Sequence, residues 1–176
     1  SHQVRGKDSM VERSKDPESF NVKGFEEQQK SKKKGNRENK HSKEEIINQA
    51  IQFHLKGNIQ EASMCYQHCI NQNFKDHRVF SNYGIILKGL GKLKEAEIYT
   101  RKAIEIKPDF AGAHSNLGSI LRDLGNSKEA EISYRNAIQL KPDFAISHLN
   151  LGNVLRDLGK SKEAEISYRN AIQLKP

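Results

Sequence analysis

The 34 residues from Pro108 to Lys141 and the 34 from Pro142 to Lys175 differ at only six positions. Phe74–Lys107 falls into the same frame with no gap, and Lys40–Asn73 follows it more loosely. Such a period leaves few folds open. A unit this short cannot bury an apolar face alone, so the units must stack and cover one another.

Spacing within a unit predicts its form. His114, Leu117, Gly118 and Leu121 recur at three- and four-residue steps, as one face of a helix requires. Gly125 breaks the pattern and supplies a tight turn. A second helix carries Ala130, Tyr134, Ala137 and Ile138 on its buried face, and Pro142 ends the unit. Small residues at Gly118 and Ala130 let the two backbones approach, and Ala137 does the same for the next pair. Each unit is expected to be an antiparallel helical hairpin, with repeats over 43–73, 77–107, 111–141 and 145–175.

These residues resemble the tetratricopeptide repeat family, whose pattern is an aromatic, Leu-Gly, a large residue, Ala, an aromatic and Pro. The third repeat reads His114, Leu117-Gly118, Leu121, Ala130, Tyr134, Pro142, and the fourth His148, Leu151-Gly152, Leu155, Ala164, Tyr168, Pro176. The second has Phe80, Tyr83-Gly84, Leu87, Ala96, Thr100 and Pro108, with Thr100 in place of an aromatic. The first departs most, with Ile46, Gln49-Ala50, Phe53, Ala62, Tyr66 and Phe74. The resemblance covers residues 42–176 and implies an all-α fold, a right-handed superhelical solenoid of antiparallel helix pairs. It also implies that the first helix of each pair lines the inner surface. Ser42-Lys43-Glu44-Glu45 has the form of a capping box and marks the expected start of the first helix.

Residues 1–41 are polar, charged and aperiodic, with a basic run of Lys30, Lys32, Lys33, Lys34, Arg37 and Lys40. Too little apolar surface is present to offset ordering entropy, so a flexible tail is expected there, with phosphate or membrane binding by the lysines as the alternative. Met10 is a candidate native start. The formal charge of +8 divides equally between residues 1–42 and the repeats. The repeats are therefore only mildly basic, which argues against a nucleic-acid partner, and single-strand binding would want stacking aromatics that the inner positions lack. No stretch approaches the roughly 18 apolar residues of a membrane span, and no apolar signal-type segment opens the sequence. Both cysteines, Cys65 and Cys69, lie on one short segment. They form no disulfide framework and fit a reducing, cytoplasmic setting.

Carrying the family's geometry onto this sequence makes the second, fifth, sixth, ninth, twelfth and thirteenth positions of each repeat, counted from Ala111, the inner ones. The sixth is always Asn: Asn48, Asn82, Asn116 and Asn150. An amide donates and accepts, so a ladder of them could grip the backbone of an extended peptide; each could equally bond a neighbouring helix. The arrangement is similar to the asparagine ladder of O-linked N-acetylglucosamine transferases, and Pro108–Gly118 resembles their repeats closely. The twelfth position holds His54, Lys88, Arg122 and Arg156, followed by Asp123 and Asp157 at the thirteenth. Two readings stand: reception of a ligand's anionic groups, or Arg–Asp pairing between repeats. Three of the six differences between repeats three and four fall at inner positions, Gly112/Ile146, Ser115/Leu149 and Ser119/Asn153. That adds Ser115, Ser119 and Asn153 to the candidate groove.

Cys65, His68 and Cys69 lack further ligands for a metal site, and Cys69 takes the slot of Ala103, Ala137 and Ala171. His114 and His148 occupy the slot of Phe80 and Ile46, as packing residues. No Gly-rich phosphate loop, Ser/His/Asp set or paired carboxylates suggest catalysis, and no cofactor is implied. The expectation is a protein-interaction module holding an extended peptide or partner segment. The alternative is the substrate-presenting arm of a larger, glycosyltransferase-like enzyme whose catalytic domain lies outside this chain. A carboxylate clamp fits poorly, because Asn116 and Asn150 stand where that site has Arg. Finally, Ser161–Lys175 matches Ser127–Lys141, which a further unit covers. Tyr168, Ala171, Ile172 and Leu174 should then form an uncovered face that drives end-to-end self-association.

Overall fold

A computed structural model describes residues 36–175, with side chains from Ser42 onward. The described residues form eight helices and no strand: α1 (Asn36–Leu55), α2 (Ile59–Asn71), α3 (His77–Gly89), α4 (Leu93–Ile106), α5 (Ala111–Asp123), α6 (Ser127–Leu140), α7 (Ala145–Asp157) and α8 (Ser161–Leu174). They pair as α1/α2, α3/α4, α5/α6 and α7/α8, and each pair packs on the next. The four-hairpin solenoid expected from the period is therefore present.

One turn device repeats through the stack. Gly57, Gly91, Gly125 and Gly159 have φ between 76° and 82°, in the left-handed region that only glycine enters without steric cost. Between hairpins the chain turns at Pro108 and Pro142. The first repeat has Phe74 there instead, and its helix α2 is ended by Asn73 at φ 58°, Asn being the side chain that best tolerates this conformation.

Helix α1 starts at Asn36, six residues before the expected cap at Ser42. Asn36–His41 contains neither Pro nor Gly, so nothing stops the helix from propagating back through Ser42. The expectation of a flexible tail otherwise concerns residues 1–35, which lie outside those described.

The core explains the Leu-Gly…Tyr pattern. Leu117 and Leu121 of α5, Ala130 and Tyr134 of α6, Leu151, Val154 and Leu155 of α7, and Ala164 of α8 form one buried cluster across two repeats. The Tyr134 ring lies over Gly118 so closely that a Cβ there would be 2.8–2.9 Å from ring carbons, and Tyr168 lies likewise over Gly152. In the second repeat Thr100 replaces this ring, and aromatic mass moves next door: Tyr99 stacks on Phe80 and meets Tyr83 edge-on at 5.0 Å. The substitution leaves the Thr100 hydroxyl buried with no hydrogen-bond partner among the described residues.

Helix starts are individual. Asp76 caps α3 by accepting from the Arg78 backbone N–H at 2.9 Å. Asn126 caps α6, accepting from Glu129 N–H while donating to its carboxylate. Lys160, its counterpart before α8, has no such cap but pairs with Glu131 at 3.1 Å.

Two outcomes follow in urea denaturation. Gly118→Ala forces the Tyr134 ring aside and lowers stability by about 1–3 kcal/mol, whereas Gly89→Ala, in open space at the end of α3, is neutral or stabilising. Thr100→Val keeps the shape, removes the unpaired hydroxyl and raises stability by about 1 kcal/mol.

Candidate interaction surface

Successive first helices touch directly, α3 with α5 and α5 with α7, whereas no comparable contact joins successive second helices. Over these three repeats the first helices are thus the more closely spaced row. The wider gap between second helices is spanned by long side chains, Arg101 to Glu129 at 2.6 Å and Arg135 to Glu163 at 3.0 Å.

The four asparagines occupy corresponding places on the first helices. Asn48 is exposed; Asn82, Asn116 and Asn150 are half-buried. Asn116 donates from Nδ2 to the Ser81 hydroxyl of the preceding repeat at 3.1 Å. That amide therefore already spends one bond on a neighbouring helix and retains further donor and acceptor capacity.

The ninth position is backed by the second helix of its own repeat. Tyr168 donates to Asn153 Oδ1 at 2.7 Å. Ser119 and Asn153 are half-buried. Ser115, placed on the groove by its spacing, is instead only 6% exposed and accepts from the Ser147 hydroxyl at 3.0 Å. The fifth position faces the following first helix, because the repeats are rotated against each other by an amount that one helix's periodicity does not encode.

At the twelfth and thirteenth positions the charges pair between repeats. Lys88 meets Asp123 at 3.8 Å and Arg122 meets Asp157 at 2.7 Å; Arg156, the next member, is exposed. His54 lies edge-on to Tyr66, and burial lowers its pKa. A residue that spacing alone did not single out is Arg78, at the second position. Its guanidinium joins Asp76 and Glu44 of the preceding repeat, both at 2.9 Å. Burial would raise the Asp76 carboxyl, but its bonds from Arg78 outweigh this and hold it below the usual carboxylate range. A lone arginine where the later repeats have Gly112 and Ile146 was the available signal.

Cys65 and Cys69 are buried free thiols, pushed up by burial to about 11 and about 12, so neither supplies a thiolate near neutrality. His114 and His148 each place Nε2 2.8 Å from a carbonyl, that of Pro108 and Pro142, and so tie each first helix to the turn before it. Among the described residues no group of His, Cys, Asp or Glu could hold a metal ion, and no helix is long and apolar enough to cross a membrane.

The hydrogen bond from Arg122 holds the Asp157 carboxyl below its ordinary value. This contribution to stability is complete above the unfolded-state pKa and is lost as pH falls through the lowered folded-state value. In an NMR titration the Asp157 midpoint should return toward normal in Arg122→Ala, at a cost of about 0.2–1 kcal/mol, because the pair is partly exposed.

A family model for the TPR repeat matches residues 118–159, and a tetratricopeptide repeat model matches 77–110 and 145–176. Among curated proteins none matched the sequence. A solved structure of MamA is 16% identical, with 88% of this chain and 86% of that chain covered and a TM-score of 0.72. YrrB, described as a TPR protein with an unusual peptide-binding site, is 20% identical over 72% of this chain and 66% of that one, at a TM-score of 0.64. A mutant O-GlcNAc transferase of Thermobaculum terrenum is 20% identical, with 64% of this chain and 22% of that one covered, at 0.62. At such identities the likeness is one of fold. Together with the repeat pattern and the hairpin stack, the matched models place this chain in the tetratricopeptide repeat family.

Proposed function

We propose that this protein is an interaction module that holds an extended peptide of a partner protein along the surface lined by its first helices. The observation that carries this is the recurrence of a half-buried amide, Asn82, Asn116 and Asn150, at one place in three consecutive first helices. Backbone amides of an extended peptide present donors and acceptors whatever its sequence, and side-chain amides answer both. Around this row Lys88, Arg122, Asp123 and Asp157 hold one another in pairs, so the row is flanked by charges that favour a polar peptide without demanding one sign. The fold shared with YrrB, whose peptide-binding site is noted above, supports this reading. Free buried thiols at Cys65 and Cys69 agree with a reducing, cytoplasmic setting.

A second reading has one observation behind it: the chain aligns with only 22% of the Thermobaculum terrenum O-GlcNAc transferase, so the same kind of stack forms part of a larger enzyme. The module would then present a substrate to a catalytic domain. The coding sequence beyond Pro176 distinguishes the two.

Peptides selected from a random display library on the wild-type protein test the proposal. Asn116→Ala with Asn150→Ala should weaken them at least about tenfold, two lost amide contacts at ~1 kcal/mol each. The urea midpoint, measured alongside, separates this from loss of the Asn116–Ser81 bond. Equal affinity for both proteins, or failure to enrich any peptide, would remove the amide row as the binding feature.

A further inference from the structure

Grooves run between successive second helices, and the chain fills one of them with a ring of its own. Between α2 and α4, Tyr99 stacks on Phe80 with centroids 6.1 Å apart and meets Tyr83 edge-on. Ile70 of α2 packs against the same cluster, and Gln67 of α2 donates to the Tyr83 hydroxyl at 2.7 Å.

Two repeats later the places of Tyr99, Phe80 and Tyr83 are taken by Ser167, His148 and Leu151. With these smaller side chains a cavity of about 430 Å³ lies open between α6 and α8, over α7. That size falls within the roughly 300–1,000 Å³ of ligand sites. Ile138 of α6 and Ile166 of α8 form its walls, and Leu151 and Leu155 of α7 its floor.

The lining suits a flat, neutral ring. His148 stands where Phe80 stacks on Tyr99, and its Nε2 contact with the Pro142 carbonyl at 2.8 Å fixes the imidazole, which offers a face for aromatic contact. Gln139 and Asn170 also reach the cavity, and their amides can bond a phenolic hydroxyl. The two charges of the lining, Arg135 and Glu163, pair with each other at 3.0 Å, so the groove favours a neutral group over an ion. Between α4 and α6 the serine recurs as Ser133, but Glu105 replaces Gln139 and adds a carboxylate. At the mouth of the α6–α8 groove Ile166 is 61% exposed, so a side chain can enter from the surface of another protein.

We propose that the groove between α6 and α8 is a binding site for a tyrosine side chain of a protein partner, which takes there the place that Tyr99 takes between α2 and α4. The site lies on the second-helix side of the stack and does not rest on the peptide reading of the asparagine row.

NMR of isoleucine methyl groups in the full chain tests this with two neutral peptides, N-acetyl-Gly-Tyr-Gly-amide and its Leu counterpart, and with p-cresol. The tyrosine peptide should shift the Ile138 and Ile166 methyls saturably and bind at least about fivefold more tightly than the leucine peptide. Ile98, at the corresponding place of the filled groove, should not move. Ser167→Tyr supplies the missing ring from within and should abolish the shifts while keeping the urea midpoint at or above that of the wild type. Ile166→Asp changes only an exposed wall and should weaken the tyrosine peptide several-fold with the fold intact. No saturable shift, equal affinity for the two peptides, or undiminished binding by either variant would overturn the proposal. So would unfolding of Ser167→Tyr, since the groove would then have no room for a ring. Binding of p-cresol without binding of the peptide would assign the site to a free phenol and overturn the partner side chain.

Discussion

The contact between a tyrosine ring and a glycine backbone sets the geometry of the later repeats. Tyr134 over Gly118 and Tyr168 over Gly152 bring two helices together at a distance that no Cβ permits. That spacing lets Leu117, Leu121, Leu151 and Leu155 meet in one cluster that spans two hairpins. Cohesion therefore runs along the stack, each hairpin completing its core with residues of its neighbours. In the second repeat the ring is lost to Thr100, and the Phe80–Tyr99–Tyr83 group fills the space differently. The replacement is contained because Phe80, Tyr83 and Tyr99 all belong to the same hairpin as Thr100.

Most of this was legible in the sequence. The period, the turn glycines and the small residues at close approaches belong to single helices and single turns, and local physics determines them. Other features depend on how repeats rotate against one another. Ser115 has the spacing of a groove residue but is buried under Ser147, and the Asn116 amide reaches back to Ser81. Periodicity within one helix carries no information about that rotation. The start of α1 was misplaced for a different reason. Ser42–Glu45 has the form of a cap, yet a capping pattern stops a helix only where the preceding residues decline to be helical, and Asn36–His41 do not.

The charged residues also act mainly between repeats. Arg78, Lys88, Arg101, Arg122 and Arg135 each reach a carboxylate of an adjacent hairpin. Individually such exposed pairs contribute little. Their value is positional, since a ladder matches only in one register and so penalises hairpins that slip along or rotate against each other.

The tyrosine hydroxyls have a consequence for how the inner surface is composed. Tyr168 rises from a second helix, yet its hydroxyl donates to Asn153 on a first helix, and Tyr66 reaches His54 in the same manner. The surface we propose for recognition is therefore a composite of both helices of a unit, with the second helix supplying polar atoms through the thickness of the hairpin. Grafting the first helices alone onto another scaffold would strand Asn153 and His54 without the hydroxyls beside them. The smallest portable unit of this surface is the whole hairpin.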